Sequence, residues 1–172
     1  PIFKGTVVRA KVIKPGALPS KVASRTYFIT PAGSSEFSLP VASISISENK
    51  LFNYTNGVFV AGLLFDNWRM ANPTVDSDIY ENNFDANYHV SGDPSERSGN
   101  ITYLVNGAEV VNQDVGLRIN GDSSRGWQSK SFRLVARGEY GNDALNYTFF
   151  NDTPVSVFNR LILRNSGGDF FD

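Results

Sequence analysis

The sequence predicts a mainly β fold, an antiparallel sheet or sandwich with one short helix, and three observations carry that prediction. Apolar and polar residues alternate in several short runs, which is the period of a half-buried strand. Fifteen Gly and eight Pro punctuate those runs, and 13 Phe with 7 Tyr supply rings that favour pleated surfaces. Helical periodicity is scarce along the chain.

Taken in order, Gly5 to Ile13 alternates in part, Pro15 to Ser20 is turn chemistry, and Ser24 to Thr30 reads as a second strand, together a hairpin. The small-residue, Pro-bounded stretch Pro31 to Pro40 is the expected linker. Val41 to Ser47 sets Ala42, Ile44 and Ile46 against Val41, Ser43 and Ser45, a strand with one apolar face. Ser47 is placed to cap one or two helical turns over "ENKLF". The apolar run "GVFVAGLLF", Gly57 to Phe65, reads as a central strand buried on both faces. Asp66 to Asn100 is a long polar segment with little periodicity, and such loops in compact domains are usually functional or mobile. Strands then resume as "ITYLV" and "AEVVNQ" around Asn106-Gly107, a two-residue hairpin signal. "VGLRI", "KSFRLVAR", "LNYTFF" and "NRLILRN" follow, giving about ten strands in all.

Composition excludes several function classes. Sixteen Lys and Arg against 17 Asp and Glu give a net charge of -1, so no global basic field argues for nucleic acid or an anionic membrane surface. The chain has no cysteine and one histidine, His89, which rules out disulfide frameworks and Cys/His metal clusters. His89 itself reads as a surface residue of the long loop. No stretch approaches the roughly 18 to 20 apolar residues of a membrane span. The chain opens directly in strand-like sequence, as an excised piece of a longer precursor would. Four Asn-x-Ser/Thr sequons, at Asn53, Asn100, Asn146 and Asn151, are near chance in an Asn-rich chain.

The stretch "GLRINGDSSRGWQSKSFRL", Gly116 to Leu134, holds the candidate site. Val115, Leu117 and Ile119 share one face of a strand, leaving Gly116 and Arg118 on the other; Phe132, Leu134 and Ala136 share a face opposite Arg133, Val135 and Arg137. Lys130 has the parity of Phe132, so its ammonium starts on the core face. It needs a carboxylate, a cluster of carbonyls or a bound anion as partner, or else it snorkels to water. The ten-residue connection Asn120 to Ser129 carries Gly121, Ser123, Ser124 and Arg125. Glycines let backbone N–H groups approach an oxyanion, hydroxyls donate to it and a guanidinium fork matches phosphate. The same composition also makes ordinary polar surface loops, and Arg118, Arg133 and Arg137 read equally as a solvated sheet face.

This ordered run, with Tyr140-Gly141 and "LRNSGGD" (Leu163 to Asp169) after it, closely resembles the CotH family of spore-coat-type, kinase-like proteins. That family reads Gly-x-Arg-Ile-x-Gly-x-Ser-Ser-Arg, then Lys-Ser-Phe, Tyr-Gly and Leu-Arg-Asn-x-Gly-x-Asp. Upstream, "LPVASISISENKLFNYTNGVFVAG" and "NYHVSGDPSER" resemble its opening segments, so the likeness covers about residues 39–172. Many members carry two lysines before Ser-Phe, whereas here Ser129 precedes Lys130. Residues 1–30 resemble the last two strands of the immunoglobulin-like module of chitobiase-type proteins. The expected organisation is therefore an immunoglobulin-like hairpin remnant (1–30), a linker (31–40) and a CotH-like, nucleotide-side region (41–172).

The resemblance implies an exported bacterial protein, secreted or at the cell surface, whose parent is an atypical kinase transferring the γ-phosphoryl of ATP, with Mg, to a protein acceptor. It implies that Lys130 holds the nucleotide phosphates, that Gly121, Ser123, Ser124 and Arg125 form the loop over them, and that Arg118 supports the loop. Asp169 is expected as a hinge-end carboxylate or a turn cap. The family's metal-binding acidic residues are expected beyond that motif, so these residues alone are expected to be inactive. The competing class is a non-catalytic β module binding glycan or protein through Trp68, Tyr80, Phe84, Tyr88 and Trp127, since exposed rings stack on sugars, and the same rings also read as core.

Overall fold

Residues 5–29, 37–79 and 81–165 are described by the structure, a computed structural model. The elements run β1 (Thr6–Ala10), β2 (Ala23–Tyr27), β3 (Val41–Ser45), α1 (Glu48–Phe52), α2 (Gly62–Ala71), β4 (Arg97–Val105), β5 (Ala108–Asn120), β6 (Ser131–Val135), β7 (Leu145–Asn146), β8 (Val157–Phe158) and β9 (Arg160–Leu163). The protein is mainly β, and all strand pairs among the described residues are antiparallel. Most of the expected linker, Tyr80 and Asp169 lie outside the described residues.

The central layer is a five-stranded sheet in the order β3-β4-β5-β6-β9. Asn106 and Gly107 both take positive φ, 51° and 79°, and close the β4–β5 hairpin as the dipeptide predicts. β5 is a single 13-residue strand, where the polar Asn112 to Asp114 had suggested a break between two strands. Those polar residues do not interrupt it because they pair with Asn100, Ile101 and Thr102 of β4 and make side-chain bonds of their own. Asn100 Nδ2 donates to Asn112 Oδ1 at 3.1 Å and to Asp114 Oδ1 at 3.0 Å. The sequon at Asn100 is therefore buried, at 4% exposure.

The sheet has two unlike faces. Val111, Val115, Leu117 and Leu134 face a core that Leu145, Tyr147, Phe149 and Phe158 cover from the short β7–β8 sheet and its flanks. The other face is polar, and the β1–β2 hairpin lies against part of it. Asn112 Nδ2 donates to the Ser24 carbonyl at 3.0 Å, and Thr26 Oγ1 donates to Ser43 Oγ at 2.9 Å. Small sheets above and below the central sheet give the molecule its sandwich character.

The run Gly57 to Phe65 departs from the sequence reading. It is not a central strand: Val58 and Phe59 donate to the Lys50 and Leu51 carbonyls at the end of α1, and α2 begins at Gly62. Gly62 has φ 62°, and a Cβ there would overlap the Asn87 amide and the Tyr54 carbonyl, so the chain turns where a strand would continue. Asn87 fixes this turn, donating through Nδ2 to the Tyr54 carbonyl at 2.9 Å and accepting from Leu64 N at 3.3 Å. Apolar periodicity in so short a run does not separate strand from buried helix, and tertiary bonds decided it. The expected helix over "ENKLF" is α1, with Ser47 at its N-cap position but no side-chain cap bond.

Leu117 is fully buried and pairs with Leu134, itself 1% exposed, at the centre of the core. Leu117→Ala should lower unfolding free energy by about 2–5 kcal/mol in urea denaturation. A loss under about 1 kcal/mol would show that the core lies elsewhere.

Candidate functional site

The loop between β5 and β6 is folded tightly against its own lysine. Gly121 has φ 124°, and a Cβ there would overlap Ser124 Oγ, so the turn into the loop requires glycine. Ser123–Gly126 forms one 3-10 turn. Lys130 Nζ lies under it and donates to the carbonyls of Arg125 and of Trp127, the latter at 2.9 Å. The same ammonium is 4.4 Å from the Tyr88 ring centroid and 5.6 Å from that of Phe59. Of the partners that the sequence left open for Lys130, the structure supplies carbonyls and ring faces. Among the described residues no carboxylate forms an ion pair with it.

Burial lowers the Lys130 ammonium from 10.5 to about 8. The two carbonyls need only two N–H donors, so a neutral amine keeps both bonds. Arg125 is likewise turned inward, donating through Nε to the Gly121 carbonyl and through Nη1 to the Val90 carbonyl at 3.1 Å. The Ser123 and Ser124 hydroxyls make no side-chain hydrogen bond to another described residue. The loop thus holds its cations with backbone oxygens and leaves its hydroxyls available.

Arg118 is not part of this cluster. It faces the polar side of the sheet, paired across strands with Arg133, whereas Lys130 contacts rings on the apolar side, where Phe59 stacks on Phe132. Arg118 Nε donates to Glu96 Oε2 at 2.6 Å, and its Nη2 binds Asp93. Arg137 joins the same group through Nε to Glu96 Oε1 at 3.0 Å and Nη2 to Asp93 Oδ1 at 3.1 Å. Tyr140 donates its hydroxyl to Glu96 Oε1 at 2.9 Å, and burial together with that bond pushes the phenol well above its usual range. Beneath the group, Gly116 leaves room that a Cβ would take from the Glu96 carboxylate.

Sequence reasoning missed Glu96, Asp93, Arg137 and Tyr140 as one constellation, since they lie far apart along the chain. The glycine at 116, on Arg118's face of the strand, was the one local signal. His89 is a correction: it is half-buried, packed between Phe84 and Tyr88, with Nδ1 donating to the Phe84 carbonyl at 2.9 Å and burial lowering its pKa. Trp68, Phe84 and Tyr88 form a second apolar cluster with Ala61, Phe65 and Ile79, so these rings are core rather than an exposed sugar platform. No group of three or more acidic or histidine side chains among the described residues is arranged to hold a metal ion. No described helix is long and apolar enough to cross a membrane.

In comparisons with known proteins, the chain matches no family model, no curated protein and no solved structure. The class that fold and site define is a β sandwich with a tight, serine-bearing loop over a half-buried lysine.

Two measurements test this geometry. Because the Lys130 value falls on folding, the unfolded chain binds the extra proton between about 8 and 10.5, and stability contributed by this group rises with pH across that window. The melting temperature of wild type minus that of Lys130→Met should therefore climb from about pH 7 to pH 10, and a flat difference would contradict the burial. Gly116→Ala should destabilise by about 1–3 kcal/mol in denaturant titrations by displacing the Glu96 carboxylate, and a neutral result would contradict the close fit.

Proposed function

We propose that this chain is the nucleotide-side portion of an exported CotH-like atypical protein kinase, binding the phosphates of ATP with Mg and catalytically incomplete alone. The observation that carries the reading is the Gly121 to Lys130 loop. Among the described residues, two hydroxyls without side-chain partners and a lysine with no neutralising carboxylate lie in one short loop. A phosphate entering this loop receives donors from Ser123 and Ser124 and charge from Lys130, whose third N–H is not required by the two carbonyls. Charge on Lys130 is favoured by such an anion, which opposes the lowering by burial.

The ordered resemblance of residues 39–172 to the CotH pattern supports the same reading and supplies the reaction class, phosphoryl transfer to a protein acceptor. In that pattern the acidic residues that hold the metal come from elsewhere than this loop. Export to the cell surface belongs to the proposal on the same ground. The competing reading, a glycan- or protein-binding module, has no specific observation in its favour.

Calorimetry with MgATP decides between loop and no loop. Wild type should bind, and Ser123→Ala/Ser124→Ala, which leaves the Lys130 bonds to the backbone in place, should weaken binding by about tenfold. Lys130→Met should weaken it further. Equal heats for the three proteins would remove the loop from the function. Incubation with MgATP and a casein-like acceptor should give no phosphate incorporation, and clear incorporation would sink the claim of incompleteness.

A further inference from the structure

The Glu96 cluster carries an inference independent of the Lys130 reading, on the opposite face of the sheet. Its inner half is closed: Glu96, with a side chain 5% exposed, accepts at Oε2 from Arg118 Nε at 2.6 Å and from Arg137 Nη2 at 3.4 Å, while Arg137 Nε sits 3.0 Å from Oε1 as an ion pair. Tyr140 adds a third donor to Oε1. These contacts hold the two guanidinium groups from below, and Gly116 leaves the space that the Glu96 carboxylate occupies.

The outer half is different in kind. The Nη2 atoms of both arginines converge on a single oxygen, Oδ1 of Asp93, whose side chain is 78% exposed. Asp93 stands on a surface 3-10 turn, Asp93–Ser95, that follows Gly92 at φ 72°. Solvent screens the Asp93 side of these pairs, although Arg118 is only 14% exposed, so moving Asp93 aside costs less than breaking a pair buried on both sides. Two forks meeting at one exposed group match a phosphate monoester, which offers three oxygens and up to two charges where Asp93 engages them with one oxygen and one charge.

The geometry points to an oxyanion site for a phosphate monoester between Arg118 and Arg137, in which the Asp93 carboxylate is a displaceable stand-in for the ligand. Glu96 neutralises one of the two cations and fixes their spacing. Asp93 competes with the ligand from within the chain, and its removal leaves two guanidinium groups against the Glu96 carboxylate, with Glu139 also attracting Arg137. Tyr140 is a positioning residue acting through Glu96.

The test is the melting temperature of the full chain titrated with inorganic phosphate, with chloride balanced to constant ionic strength. Asp93→Asn should lower the half-saturating phosphate concentration about tenfold relative to wild type, and Asp93→Ser should do the same. Arg137→Gln introduced into either variant should abolish the dependence while circular dichroism confirms the fold. Lys130→Met should leave it intact, which separates this site from the nucleotide loop. Phosphoserine binding tighter than inorganic phosphate identifies an ester as the ligand, and equal binding identifies the free ion. The proposal is overturned if both Asp93 variants respond to phosphate as wild type does, or if the response survives Arg137→Gln.

Discussion

Successive residues of β5 point to opposite faces of the central sheet, and most of the other elements are placed by that alternation. Val115, Leu117 and Ile119 turn one way into the core; Asp114, Gly116 and Arg118 turn the other way onto polar partners. A slip of one residue in register would send Arg118 into the core and Leu117 against Glu96. Pairing with β4 on one side and β6 on the other, over nine and five residue pairs, makes such a slip prohibitive. The β7–β8 sheet, the β1–β2 hairpin and both charged groups take their positions from this register.

The two faces solve the problem of a partly buried cation by different means. On the apolar side Lys130 is satisfied by carbonyl oxygens of its own loop and by two ring faces, which keeps the ammonium ordered but leaves it without a compensating negative charge. Its lowered pKa is the consequence. On the polar side Arg118 and Arg137 are matched by Glu96 and Asp93: attraction to Glu96 raises the Arg137 pKa, and the hydrogen bond from Arg118, with the charge of both arginines, lowers that of Asp93. A buried carboxylate such as Glu96 is tolerable only because Arg118 Nε and Arg137 Nη2 donate to Oε2, and Tyr140 donates to Oε1. Breaking that arrangement would strand a charge.

These placements separate residues that a linear motif joins. Arg118 and Lys130 both belong to the stretch Gly116 to Leu134, yet they serve opposite faces of one sheet. The phosphate loop proposed here therefore consists of Gly121 to Lys130 alone. The polar-face arginines form a distinct unit with the turn at Asp93 and the segment around Tyr140.

Alternation, turn dipeptides and ring-rich composition were enough to determine the antiparallel β class, the Asn106-Gly107 hairpin, the short helix after Ser47 and the inward parity of Leu117 and Leu134. Each depends on neighbours in sequence or on a period of two, which a linear reading captures. The same reading marked the loop from Gly121 to Lys130 as unusual and left the lysine's partner open among three choices. Only the tertiary structure decided the rest. The run after Gly57 turned into α2 because Asn87 and the Tyr54 carbonyl meet at Gly62. Lys130 found carbonyls rather than a carboxylate because its loop folds back over it. Glu96, Arg118, Arg137 and Tyr140 became one cluster because strand pairing brings together side chains separated by up to 44 positions. No local period encodes such contacts; they exist only once the sheet has closed and burial makes each unpaired charge costly.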